Sequence, residues 1–179
     1  MNPLRRLTFA AFIAFALALT PSLTAQPIWT AVANTGAIDE RSLGIFEFNT
    51  DAAPGISSLR YLTGSLSTAT IIARYNVTNP LDNGLVLPWT TLELGNFDNA
   101  TNGQVIASLY QVNRCTGATT FVCRVGSTDA AASKCEVCNF AAGSVNFAAN
   151  LYFVEVIVTR TNVAGLPLPN PAAHTLRIF

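Results

Sequence analysis

From residue 26 onward, apolar and polar residues alternate with a period of two, the spacing that puts side chains on one face of a β-strand. In Ser67–Thr78, apolar side chains occupy positions 69, 71, 73, 75 and 77, which predicts a half-exposed antiparallel strand. Asn150–Thr161 is the most strongly β-forming run and is apolar on both faces: Tyr152, Val154, Val156 and Val158 on one, Leu151, Phe153 and Ile157 on the other. This second pattern predicts the central strand of a sandwich.

Further segments of the same kind lie between clusters of Gly, Pro, Asn and Asp, residues typical of turns. They are Pro27–Asn34, Ser42–Asn49, Ser58–Leu62, Leu85–Leu94, Gln104–Asn113, Thr119–Val125 and His174–Phe179. Pro88 should lie at an edge or a bulge because proline cannot donate to a ladder, and Cys135–Ala142 is ambiguous between a short helix and a strand. Eight or nine strands without an amphipathic helix predict an all-β fold, an antiparallel β-sandwich of immunoglobulin-like or jelly-roll type.

The N-terminus has the anatomy of a secretory signal peptide. Arg5 and Arg6 precede a thirteen-residue apolar run, Leu7–Leu19, which is shorter than a membrane-spanning helix, and small residues follow in Ser22–Ala25. We expect a signal helix at 1–25, cleaved after Ala25, and a single β-sandwich domain at 26–179. The alternative is an uncleaved N-terminal anchor. The short, alanine-rich signal suggests a bacterial protein, secreted or periplasmic.

The mature chain of 154 residues is large enough for a substantial core. It keeps eight basic and ten acidic residues once Arg5 and Arg6 are removed. So few charges offer no basic face for nucleic acid or anionic lipid. No second apolar segment reaches spanning length, so we expect no transmembrane helix in the mature chain.

All four cysteines lie in one stretch, at Cys115, Cys123, Cys135 and Cys138. In an exported chain, four cysteines most often form two disulfides, and three pairings are possible. We favour Cys115–Cys123 with Cys135–Cys138, which needs only local geometry, over the nested pairing of Cys115–Cys138 with Cys123–Cys135. A zinc site needs two close pairs and a redox site needs a βαβ context, so neither is expected.

No catalytic constellation is recognisable. His174 is the only histidine, and no Gly-x-Ser-x-Gly elbow accompanies it. Glu47, Glu93 and Glu155 stand between apolar neighbours in predicted strands, where they could be paired glycosidase carboxylates or solvent-facing positions. Because the face of Glu155 is otherwise apolar, we expect it to pair with an arginine such as Arg74 or Arg160.

The candidate ligand-binding residues are Trp89, Glu93 and Glu155. Trp29 and Trp89 with Tyr110 and Tyr152 could form a platform on which sugars stack, although core packing explains each ring equally well. Asp98, Asn99 and Asn102 offer oxygen ligands, but their spacing does not match an EF-hand loop. We therefore predict no metal and no cofactor.

Three functions follow from these features. We favour an exported, non-catalytic β-sandwich module, secreted or attached to the cell envelope, whose partner is a glycan or another envelope protein. The second is a carbohydrate-binding or glycan-hydrolysing sandwich, which requires exposed aromatic rings beside Glu or Asp. The third is a small outer-membrane β-barrel, suggested by alternating strands that end at the aromatic Phe179.

Overall fold

The computed structural model describes residues 27–50, 57–80 and 86–179. The predicted signal peptide, residues 1–25, lies outside these residues. Within them, no helix has the length and apolar character needed to cross a membrane.

The described residues form thirteen short strands and two 3₁₀ turns, Ala33–Thr35 and Glu40–Ser42. The strands are β1 (Trp29–Val32), β2 (Ala37–Ile38), β3 (Phe46–Asn49), β4 (Ser58–Tyr61), β5 (Ile71–Val77), β6 (Val86–Leu87), β7 (Thr91–Phe97), β8 (Gly103–Asn113), β9 (Thr119–Gly126), β10 (Lys134–Asn139), β11 (Val145–Asn146), β12 (Asn150–Arg160) and β13 (Ala172–Ile178). The ambiguous segment at Cys135–Ala142 is thus a strand. The predicted strand Leu85–Leu94 is divided, with Pro88 between β6 and β7.

The strands form two antiparallel sheets, and a separate pair is made by β6 and β11. Sheet A has the order β10-β7-β13-β4-β3, with β1 also paired to β13. Sheet B has the order β2-β5-β12-β8-β9. The prediction of an all-β antiparallel sandwich is confirmed. The described strands of the two sheets make two packed layers.

One core fills the space between the sheets. Every second residue of β5 and β12 points into it, and Ile71, Ala73, Val154, Val156 and Val158 are fully buried. Sheet A contributes fully buried side chains such as Leu59, Leu94 and Leu176. Full burial of each large aliphatic side chain stabilises the fold by roughly 1.5–3 kcal/mol. The alternation predicted for β5 and β12 is confirmed, and β12 lies between β5 and β8 as a central strand.

A buried arginine holds two loops at one end of the sandwich. Arg160, the last residue of β12, is 6% exposed, and its guanidinium lies 3.8 Å from the centroid of the Tyr61 ring. It donates hydrogen bonds to the carbonyls of Ser65 (2.6 Å), Ser67 (2.8 Å) and Pro169 (3.1 Å). The cation is therefore satisfied by backbone dipoles and a ring face instead of a carboxylate.

A disulfide joins the two sheets, and it is neither of the pairings that we spelled out. Cys123 of β9 is bonded to Cys138 of β10, with their Cα atoms 6.1 Å apart, while Cys115 and Cys135 are free and exposed. We expected two disulfides, and the structure has one. It closes a loop of 15 residues and stabilises by about 3 kcal/mol in the chain-entropy model.

The strand geometry explains why our pairings were wrong. Cys135 and Cys138 are three positions apart on one strand, so their side chains leave opposite faces and cannot meet. Cys123 lies opposite Leu109 in the ladder between β8 and β9, whereas Cys115 sits beyond that ladder in the connecting turn. The cysteine that faces Cys123 lies on the neighbouring edge strand of the other sheet.

Candidate functional site

The outer surface of sheet B carries three exposed or half-buried aromatic side chains in line. We call Phe153, Tyr110 and Phe121 the aromatic row. Phe153 lies opposite Tyr110 in the ladder of β12 and β8, and Tyr110 lies opposite Phe121 in the ladder of β8 and β9. Asn76 of β5 extends the row on the far side of Phe153. At about 4.8 Å per strand spacing, the line from Phe121 to Asn76 is about 14 Å long.

The rings of the aromatic row contact one another. Tyr110 and Phe153 are stacked, with centroids 5.1 Å apart and planes at 20°, and Phe121 meets Tyr110 edge-on at 6.0 Å. Phe121 is 52% exposed. Contacts of this kind hold the rings in fixed orientations, so a ligand that packs on them needs little side-chain ordering.

A β-bulge places Phe121 on this surface. The ladder of β8 and β9 shifts register between Leu109 and Tyr110, so that Val122 is an extra residue of β9. In a regular strand, Phe121 and Cys123 would point to the same face. The bulge lets Cys123 face the core and form its disulfide while Phe121 faces outward.

Next to the aromatic row runs a charged row, formed by Arg74, Glu155, Ser108 and Arg124 at successive ladder positions, with Asp39 beside Arg74. Arg74 binds Glu155 Oε2 through Nη2 at 2.8 Å and Asp39 Oδ2 through Nη1 at 3.1 Å. Arg124 donates from Nε to Ser108 Oγ at 3.1 Å, and its guanidinium lies 5.7 Å from the Phe121 ring centroid.

The acidic side chains of the charged row are paired with its arginines. The backbone N–H of Arg41, together with the Arg74 guanidinium, holds the pKa of Asp39 below its usual value. Arg74 also binds Glu155 directly, so the expected pairing of Glu155 with Arg74 or Arg160 is realised with Arg74. The two acidic and two basic side chains of the row balance, which leaves the surface close to neutral.

A third row completes the surface on the other side of the charges. Ile72, Ile157 and Ile106 are cross-strand neighbours and are half-buried. The outer surface of sheet B thus alternates between apolar and charged rows. We call this surface, formed by the aromatic, charged and isoleucine rows, the sheet B face.

A cleft adjoins the sheet B face at the edge of the sandwich. It has a volume of about 720 Å³ and lies between β1 of sheet A and β5 of sheet B. Arg74 and Asn76 line it from the sheet B side, and Val32 and Arg177 from the sheet A side. A long ligand lying along the aromatic row would reach this cleft beyond Asn76.

The three predicted ligand-binding residues do not share a surface. Trp89 is fully buried, where Nε1 donates to the carbonyl of Pro27 and the ring packs edge-on against Phe147. Glu93 lies on the outer surface of sheet A and accepts from Arg177 Nη1 at 3.1 Å. Glu155 alone lies on the sheet B face. The buried Trp89 cannot stack on a ligand at the surface, because the core covers it.

The wider aromatic platform suggested by the sequence is also divided. Trp29 and Tyr152 are buried, and Tyr110 is the member that faces outward beside an acid. Its ring neighbours, Phe121 and Phe153, were missed. Phe153 was assigned to the second apolar face of β12, from which we predicted only that β12 is a central strand. The outward position of Phe121 depends on the bulge at Val122, which alternation does not reveal.

The glutamates proposed as paired glycosidase carboxylates are each engaged by a different arginine. Glu47 accepts from Arg60 at 2.6 Å, Glu93 from Arg177, and Glu155 from Arg74. In residues 27–50, 57–80 and 86–179, no group of three or more His, Cys, Asp or Glu side chains could hold a metal ion.

No protein-family model matches the chain, and no curated protein matches it in sequence. Several solved structures are similar to it over most of its length. A structure described as a xylan-binding module, CBM15, has a TM-score of 0.47 at 12% identity and covers 86% of this chain and 96% of its own. TmCBM61, in complex with β-1,4-galactotriose, has a TM-score of 0.45 at 8% identity and covers 86% and 88%.

A viral structure is similar to nearly the same extent. The Gx strain of infectious bursal disease virus gives a TM-score of 0.38 at 15% identity over 87% of this chain and 32% of that chain. With all three TM-scores below 0.5, we draw nothing about ligand or activity from these likenesses.

Proposed function

We propose that the protein is an exported binding module, secreted or attached to the cell envelope, whose sheet B face holds a carbohydrate chain. The observation that carries the proposal is the aromatic row beside the charged row on an open sheet. The C–H faces of a sugar ring pack on aromatic side chains, and its hydroxyls need donors and acceptors close by. The sheet B face supplies both along a line of about 14 Å.

The charge of the sheet B face narrows the class of ligand. Because Asp39 and Glu155 balance Arg74 and Arg124, the face has no net field to attract a polyanion. A neutral polysaccharide fits it best, and binding should depend little on salt concentration. The module itself breaks no bond in this role, since Arg74 engages both carboxylates of the face.

Export is part of the proposal. Arg5, Arg6 and the apolar run that follows them support it, as does a disulfide that joins the two sheets. A module of this kind would act outside the cytoplasm, where polysaccharides of envelopes or of the surroundings are accessible.

Affinity electrophoresis of residues 26–179 through gels containing single soluble neutral polysaccharides tests the proposal. We expect at least one polysaccharide to retard the protein, and Phe121→Ala to reduce the retardation. Val137→Ala is the matched control, because Val137 is equally exposed at 52% but lies on the edge strand β10 of sheet A. Retardation by none of the gels, or equal retardation of wild type and Phe121→Ala, would contradict it.

A further inference from the structure

The only histidine of the chain is the extra residue of a β-bulge on the opposite sheet. In the ladder of β13 and β7, Ala173 lies opposite Asn96 and Thr175 opposite Gly95, so His174 has no partner of its own. Ala173 and Leu176 are fully buried, which leaves His174 and Thr175 both on the outer surface of sheet A. A Cβ atom on Gly95 would overlap Thr175 Oγ1, so the glycine makes room for the bulge.

The bulge orients the imidazole of His174 toward the hydroxyl of Ser133. His174 Nε2 lies 3.4 Å from Ser133 Oγ, and Nδ1 lies 3.4 Å from the backbone carbonyl oxygen of Ser57. A carbonyl only accepts, so it favours the tautomer in which Nδ1 carries the proton and the Nε2 lone pair faces Ser133. Burial lowers the pKa of His174, which keeps the ring neutral and able to accept a proton.

Both side chains line a cavity of about 540 Å³, within the usual range for small-molecule sites. Phe97 and Ala172 give it an apolar wall, and Asn170 and Arg60 give it polar groups. Arg60 binds Glu47 through Nε. The guanidinium of Arg60 therefore places a paired cation in the lining of the cavity.

We infer that Ser133 is a nucleophile that accepts acyl groups from small esters and that His174 is its general base. One cavity brings together the Ser133 hydroxyl and the His174 base within reach of it, and the Ser57 carbonyl orients the base. Distances of this length are usual in a site without ligand, where catalytic hydrogen bonds tighten only in the complex.

The chemistry balances without a further reactant. Ser133 Oγ forms a bond to the ester carbonyl carbon while its proton passes to His174 Nε2. The tetrahedral intermediate then breaks its bond to the alcohol oxygen, which leaves with the proton from Nε2. Water attacks the acyl-serine by the same path, with His174 taking one proton and returning it to Ser133, which releases a carboxylic acid.

A fluorophosphonate probe tests this inference directly, since Ser133 Oγ would bond to phosphorus, expel fluoride and pass its proton to His174. By intact mass and peptide mapping, we expect one adduct per chain, on Ser133. Ser133→Ala should abolish it. Ser144→Ala is the control and should label like wild type, because its hydroxyl makes no hydrogen bond in the described part of the structure.

The effect of His174 on the labelling rate distinguishes an activated Ser133 from an ordinary exposed serine. A general base typically contributes 10²–10⁴-fold, so His174→Gln should slow labelling by about a hundredfold. Because no other histidine is present, treating the wild-type protein with diethyl pyrocarbonate gives the same test without altering the bulge. No adduct on wild type, or labelling that neither treatment slows, would overturn the inference. Neither result bears on polysaccharide retardation, which depends on the other sheet.

Discussion

The two outer surfaces of the sandwich follow the same alternation but carry different side chains. On sheet A, the outward positions of β7 are Thr91, Glu93 and Gly95, and Glu93 is paired with Arg177. On sheet B, the outward positions of β12 include Phe153 and Ile157 on either side of Glu155. The outward positions of β7 are therefore polar or small, as is usual for a solvated antiparallel strand, whereas sheet B presents contiguous apolar rows.

This difference shows what the aromatic row contributes. The core between the sheets already buries Trp89, Leu94 and Val156, so the stability of the fold does not require Phe121 on the outside. Apolar side chains in line with one another on an open sheet are the feature on which we base the proposed binding surface. Substitutions in the core should therefore change the stability of the fold, and substitutions on the sheet B face should change affinity.

The largest effect is expected at Trp89, which belongs to the core and to neither outer surface. Trp89→Ala should lower the free energy of unfolding by about 3–5 kcal/mol, measured by urea denaturation. Trp89→Phe should cost less because it keeps most of the packed volume. If Trp89→Ala left stability unchanged but abolished polysaccharide binding, Trp89 would belong to the ligand site after all.

The disulfide between the sheets comes next. Replacing Cys123 and Cys138 together by alanine should cost about 3 kcal/mol of unfolding free energy. The matched control replaces Cys115 and Cys135, which are exposed and free. This double variant should lower the unfolding free energy by no more than about 0.5 kcal/mol. Thiol titration of the denatured, unreduced protein should find two thiols. A count of zero would restore the expectation of two disulfides.

On the sheet B face, the aromatic row should affect affinity more than stability. Phe153→Ala removes the stacked partner of Tyr110, and we expect about a tenfold loss of affinity for a retarding polysaccharide, by isothermal titration calorimetry. Phe179→Ala is the control on the other side, because Phe179 is also exposed and lies 5.2 Å from the guanidinium of Arg177. Equal losses in both variants would mean that the two surfaces do not differ in function.

The charged row should give the smallest effect. Glu155→Gln weakens its contact with Arg74, and we expect about a threefold loss of affinity and less than about 1 kcal/mol of stability. Glu93→Gln makes the same change on sheet A and should cost similar stability with no change of affinity. A larger affinity loss from Glu93→Gln would place the ligand on sheet A.

Most of the fold was predicted from the alternation of apolar and polar residues. The buried positions of β5 and β12 were predicted residue by residue, because a period of two follows directly from strand geometry. The bulges at Val122 and His174 were not, since an inserted residue leaves no mark in a pattern of apolar and polar positions. The positions of Phe121 and His174 depend on these bulges, so both sites were incompletely predicted.

Residue type was also a poor guide to which side chains are exposed, because the packing of the two sheets determines exposure. Trp89 has the ring expected of a sugar-stacking residue, but its hydrogen bond to Pro27 is made inside the core. Both faces of β12 are apolar, and nothing in the sequence says that the face of Phe153 stays open. Local spacing suggested the cysteine pairing, whereas Cys123 and Cys138 meet only because two sheets pack together.

The position at which an oligosaccharide binds decides between the outer surfaces of sheets A and B. Amide chemical shifts of ¹⁵N-labelled residues 26–179 would be followed during titration with a short oligosaccharide of the polysaccharide that retards the protein most. We predict that the largest changes fall on β5, β12, β8 and β9, around Tyr110 and Phe153. Changes confined to β7, β13 and β4 of sheet A would contradict the assignment of binding to the sheet B face.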